Sequence, residues 1–142
     1  RATGATGVLG YAFIYDTTDQ ELTADESVTF NTNGSILPGF VTHTPGTAPI
    51  TINETGTYLI TYEVNAQTGT SAFGLFNGDI LIPGSNYGSV SGEQTYSGQV
   101  IVPLTSGSVL TLRNLDEATA LQNTIAPDTP VVSASISIIR VA

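Results

Sequence analysis

The chain holds one histidine, His43, set in Thr42-His43-Thr44, and it is the natural candidate for a neutral-pH base. A nucleophilic serine needs such a base beside it and an acid to orient that base. No Gly-x-Ser-x-Gly elbow presents a serine, and Pro45, Pro49 and Gly46 surround the imidazole. His43 therefore reads as an exposed loop residue, and no catalytic residue is assigned. Carboxylates are the other resource. Asp16, Asp19, Glu21, Asp25 and Glu26 form the densest acidic run, in which Asp16, Asp19 and Glu21 are calcium candidates. Calcium is held by several carboxylate oxygens, but this spacing lacks the alternating acids and central glycine of an EF-hand loop. The plainer reading of the run is a solvated loop. Asp79, Asp116 and Glu117 fall at turns and could serve a cation in the same way. Glycoside hydrolysis needs two acids facing across a cleft, and no motif marks such a pair. Tyr87 and Tyr96 flank a stretch rich in Gly and Ser; they could stack on a sugar or protein, or pack in a core or between subunits.

Composition removes further chemistries. There is no Cys, so thiol catalysis is excluded, and a single His makes a protein-only zinc site a poor fit. There is no Lys, which excludes Schiff-base catalysis, a P-loop and a lysine isopeptide crosslink. Twelve acids against three arginines (Arg1, Arg113, Arg140) give a formal charge of −9, which repels phosphate backbones. Nucleic acid is not an expected partner. No apolar run approaches the length of a membrane span. The start at Arg1 reads as a fragment or a processed form.

These side chains would have to be positioned by strands. Period-two alternation dominates, and helical spacing is scarce. Tyr11 to Tyr15 is a first apolar run, and Asn31-Thr32-Asn33-Gly34 is turn chemistry. Residues 35–49, with three prolines, read as a loop or edge segment. The clearest strand is Thr57 to Asn65. There Tyr58, Ile60, Tyr62 and Val64 point to a core, while Leu59, Thr61 and Glu63 face water or a partner chain. Ala72 to Phe76 and Ile80 to Ile82 flank a hairpin signal, Asn77-Gly78-Asp79. Gln94 to Val102, Val109 to Leu115 and Val131 to Val141 complete the pattern. Short strands at this spacing predict a sandwich or jelly roll. Ahead of them stand Gly4, Gly7 and Gly10 at strict three-residue spacing, the repeat that a collagen triple helix requires because only glycine fits its axis. Residues 1–10 are thus expected to be the end of a stalk, and 11–142 the folded head.

Several segments also carry a family pattern. Glu54-Thr55-Gly56-Thr57-Tyr58-Leu59-Ile60-Thr61-Tyr62 resembles the Gly-x-Tyr strand of the tumour-necrosis-factor and complement-subunit-q jelly rolls. Ser133-Ala134-Ser135-Ile136-Ser137-Ile138-Ile139-Arg140-Val141-Ala142 resembles the closing strand of BclA-type collagen-like glycoproteins of bacillus spores. Phe30 to Gly34, Phe76-Asn77-Gly78, Ile82-Pro83-Gly84 and Ser106 to Leu112 fit the same group. The resemblance implies a ten-stranded, all-β jelly roll that trimerises at the end of a collagen-like stalk on the exosporium surface. It implies Thr6 as a glycosylation position and an axial face through Leu59, Thr61, Tyr96 and Ser133. Strand parity independently supports the first two.

The expected function is accordingly non-enzymatic. The head would register the stalk as a homotrimer, with adhesion to a host-surface protein or glycan as a further role. The alternative is a receptor-recognition head of the phage tail-fibre kind, which shares the fold.

Overall fold

The computed structural model describes residues 7–67, 70–90 and 94–142. Gly4 and Thr6 lie outside the described residues. Among these residues the chain is all β, with fifteen strands: β1 (Gly10–Asp16), β2 (Gln20–Leu22), β3 (Thr32–Ile36), β4 (Val41–Thr42), β5 (Ile50–Ile52), β6 (Gly56–Ala66), β7 (Ser71–Asn77), β8 (Ile80–Leu81), β9 (Tyr87–Ser89), β10 (Gln94–Leu104), β11 (Val109–Asn114), β12 (Thr119–Leu121), β13 (Thr124–Ile125), β14 (Thr129–Pro130) and β15 (Ala134–Arg140). The number exceeds the expected ten because eight of them are pieces of only two or three residues. Seven strands form one sheet, in the order β2-β12-β6-β15-β1-β3 with β10 also paired along β6. Six form a second, in the order β4-β5-β11-β7-β8 with β9 also paired to β7. β13 and β14 make a separate small hairpin.

Alternation decides what fills the space between the sheets. On β6 the buried side chains are Tyr58, Ile60, Tyr62 and Val64, as the period of two requires. They meet Ile14 and Ile138 from their own sheet and Ile52, Leu75, Leu110 and Leu112 from the other. Tyr62 crosses this core, its hydroxyl shared between the carbonyls of Phe73 (2.9 Å) and Ser85 (2.8 Å). Burial pushes the Tyr62 phenol well above its ordinary range, and desolvation raises that of Tyr58 too.

Of two local turn expectations, one is corrected. The Asn-Gly turn signal at Asn33-Gly34 lies inside β3. Gly34 is required there by a close approach, because a Cβ would stand 2.8 Å from the Phe13 carbonyl oxygen where the β1–β3 register shifts. The hairpin at Asn77-Gly78-Asp79 does form, with Asn77 opposite Ile80 and Gly78 at φ +61°.

Gly10, which triplet spacing assigns to the stalk, is the first residue of β1 and pairs with Arg140. A side chain there would overlap the Phe40 ring, so packing alone demands glycine. Gly7 has φ +87°, whereas a triple helix uses about −75°. Gly10→Ala is expected to cost about 1–3 kcal/mol through overpacking, seen as a lower thermal midpoint. An unchanged midpoint would put Gly10 outside the packed head.

Candidate assembly interface

The outward face of the larger sheet is the candidate site. Its strands β10, β6, β15 and β1 are in register, so residues far apart in sequence line up across it. One row runs Tyr11, Ile139, Leu59, Ile101. The next runs Phe13, Ser137, Thr61, Gln99, and the third Tyr15, Ser135, Glu63, Ser97. The first row is wholly apolar and stays in contact with water: Tyr11 is 43 % and Ile101 67 % exposed. Beyond Tyr15 the third is polar and carries Glu63, the one charged residue of the three rows. Between them Phe13 stacks on Tyr15 at 5.4 Å beside a groove of about 290 Å³ that Thr61, Glu63, Ser135 and Ser137 also line.

The second sheet treats its outward aromatic differently. The Arg113 guanidinium lies 4.3 Å from the centre of the Phe76 ring, and its Nη2 donates to the Gly78 carbonyl. A cation covers that ring. Nothing among the described residues covers the Tyr11–Ile139–Leu59–Ile101 row in the same way. An apolar strip of this kind on an exposed sheet is a candidate interaction surface.

Leu59 and Thr61 lie on this outward face, opposite Tyr58, Ile60 and Tyr62, where parity puts them. Tyr96 and Ser133 do not. Tyr96 is 5 % exposed, stands opposite Val64 and packs edge-on to Phe73 at 6.3 Å. It belongs to the core because β10 places residues 96, 98 and 104 on its buried side. Ser133 is fully buried just before β15, and its hydroxyl faces the Asp16 backbone oxygen and carboxylate.

Asp16, Asp19 and Glu21 are not brought together as a calcium site, and no group of three or more acids or histidines suited to a metal exists among the described residues. Asp16 is 1 % exposed, and protein donors already occupy both its oxygens. Oδ2 accepts from Thr18 N (3.0 Å), Thr18 Oγ1 (2.6 Å), Gln20 Nε2 (2.9 Å) and Ser133 Oγ (3.0 Å), while Oδ1 accepts from Asn31 N (3.0 Å). Such a carboxylate is satisfied without a cation. Asp19 accepts from the Asn123 backbone N–H, and Glu21 is exposed on β2. The sign that marks Asp16 as structural is its parity with Gly10, Ala12 and Ile14, the buried side of β1.

His43 is likewise buried rather than exposed. Its ring lies between Asn33 and the Thr47 carbonyl and meets Phe30 edge-on. Tyr87 remains partly exposed, with its hydroxyl on the Gln99 carbonyl.

A family model described as the BclA C-terminal domain matches residues 12–142. The chain belongs to the BclA C-terminal domain family. Solved structures that include a complement 1qA globular domain and a tumour-necrosis-factor protein share the fold of this BclA C-terminal domain. The globular domain of zebrafish complement 1qA protein is 11 % identical with a TM-score of 0.67, covering 94 % of this chain and 98 % of its own. Murine APRIL is 9 % identical with a TM-score of 0.64, covering 93 % and 98 %. PRD1 vertex protein P5 is 13 % identical with a TM-score of 0.63, covering 96 % and 100 %. At these identities the likeness is one of fold. No curated protein matches the chain.

Proposed function

We propose that this BclA C-terminal domain is a non-enzymatic trimerisation head that registers a collagen-like stalk on the exosporium of a spore. The observation that carries the reading is the uncovered apolar row Tyr11, Ile139, Leu59, Ile101. Burying each such side chain is worth about 1.5–3 kcal/mol, and a threefold assembly would bury the row three times. The row also lies at the end of the sheet where the chain enters. Leu9 N donates to the Arg140 carbonyl, and β1 begins one residue later. Three heads joined there would hold three preceding segments close together, replacing a slow three-chain search by a high effective concentration. Gly4 would then belong to that stalk, which would end before Gly7, whose φ of +87° does not fit a triple helix, with Gly10 as the first residue of the head. The polar outer surface would serve adhesion to a host-surface protein or glycan.

A non-enzymatic role agrees with the commitment of the one histidine to Asn33 and Thr47. Light scattering from the 142-residue chain is expected to give about three times 14.7 kDa. A monomer at micromolar concentration would overturn the reading.

A further inference from the structure

Among the described residues β8 pairs only with β7 and β10 only with β6, so the two strands border an open corner of the sandwich. Ile80, Ile82 and Pro83 line an apolar cleft of about 200 Å³ there, together with Val102, Pro103 and Leu104. Ile80 is 74 % exposed. The outward apolar row runs into this corner. Ile101, its member on β10, directly precedes Val102 of the cleft. The apolar surface therefore turns from the sheet face onto the β8–β10 edge.

A closed ring of three copies is built from heterologous contacts, in which one patch on each copy meets a different patch on the next. The row Tyr11, Ile139, Leu59, Ile101 is then only half of such a contact and requires a second, unlike apolar surface. Area makes the same demand. A stable contact buries about 800 Å² per partner, more than four partly exposed side chains supply. We propose that the second surface is the β8–β10 corner, with Ile80 of one copy seated against Tyr11 and Phe13 on β1 of the next. The proposal rests on the trimer reading and names the partner surface that completes it. Because the corner stands at the β10 end of the row, rotation about the threefold axis carries it to the β1 end of the neighbour's row.

A twofold alternative would pair β10 with β10, edge to edge. Two features of the strand oppose it. The Tyr87 hydroxyl donates to the Gln99 carbonyl at 3.3 Å, and Pro103 has no N–H to offer a neighbouring strand. The corner is suited to side-chain packing instead. Its cleft is lined by uncharged residues, and Asp79, next to Ile80, is already paired with Arg113 at 3.3 Å. Tyr11 and Phe13 are uncharged as well, 43 % and 39 % exposed. Bringing the two surfaces together thus desolvates no unpaired charge.

Ile80→Asp is expected to give a folded monomer, with the far-ultraviolet circular dichroism of wild type and one third of its scattered mass. Ile125→Asp, on the separate β13–β14 hairpin and 50 % exposed at the start, should keep the wild-type mass. A trimeric Ile80→Asp or a monomeric Ile125→Asp would overturn the proposal. The chain has no cysteine, so introduced thiols report which surfaces meet. A short bis-maleimide should join Tyr11→Cys/Ile80→Cys chains into a covalent species of about three times 14.7 kDa, since each copy then has a linked neighbour on either side. Linkage that stops at dimers would mark a twofold contact and overturn the ring. Should Ile80→Asp fail to fold, the crosslink decides alone. A monomeric wild type removes the trimer reading and this pairing with it, whereas a trimeric wild type beside a trimeric Ile80→Asp removes only the pairing.

Discussion

Asp16→Ala is expected to lower the unfolding free energy by about 3–5 kcal/mol, a fall of roughly 10 °C in the thermal midpoint. The carboxylate gathers the end of β1, the turn through Thr18 and Gln20, the backbone at Asn31 and the segment entering β15. Its removal leaves these donors without an acceptor in a site that water hardly reaches. The loss has a ceiling, because Gln20 keeps its bond to the Thr29 carbonyl and Ser133 keeps the Asp16 backbone oxygen. Asp16→Asn retains one acceptor oxygen and should fall between wild type and alanine. Denaturant unfolding measures all three, and an alanine variant within about 0.5 kcal/mol of wild type would contradict the role given to this residue. A chelator should leave the wild-type midpoint unchanged, since the oxygens a calcium ion would need are already taken.

Leu59→Asp should have the larger effect on assembly. Leu59 sits between Ile139 and Ile101 in the outward apolar row and is not part of the buried core. The protomer can therefore accommodate a carboxylate there in contact with water. A threefold interface cannot, because three such groups would be desolvated among apolar neighbours at a cost of several kcal/mol per ion. The expected outcome is a folded monomer, with far-ultraviolet circular dichroism unchanged and the scattered mass reduced to one third. A trimeric mass for Leu59→Asp would remove this row from the interface. Tyr96→Asp tests something different. Tyr96 packs on Phe73 inside the protomer, so an aspartate there should unfold the chain rather than separate intact subunits.

Much of this is legible in the sequence. Parity along Thr57 to Asn65 separates the core side of β6 from Leu59, Thr61 and Glu63, and the structure keeps that division. The same rule, applied to residues 94–104, turns Tyr96 inward with Gly98 and Leu104, against the outward position that similarity implies. The parity of β1 likewise turns Tyr11, Phe13 and Tyr15 outward and Asp16 inward, although the acidic run after Asp16 disguises it as a loop residue. His43 departs from the exposed position expected of it for a related reason. Proline and glycine around it signal a loop correctly, but a loop laid across the edge of a sandwich can bury a side chain that finds two acceptors.

Local sequence is enough for the all-β class, the two faces of the long strands, the Asn77-Gly78-Asp79 hairpin and the family. Each of these depends on neighbours within a few residues, where alternation and turn chemistry act. How the strands align is a property of the folded chain. Alternation says that adjacent side chains point to opposite sides, but not which strand lies beside which or at what offset. Register across β1, β15, β6 and β10 turns Tyr11, Ile139, Leu59 and Ile101 into one apolar row. The same long-range closure brings Ser133 to Asp16, 117 positions away, and joins β3 to β4 through His43. Those contacts are set by the pairing of distant strands, which no local pattern of residues encodes.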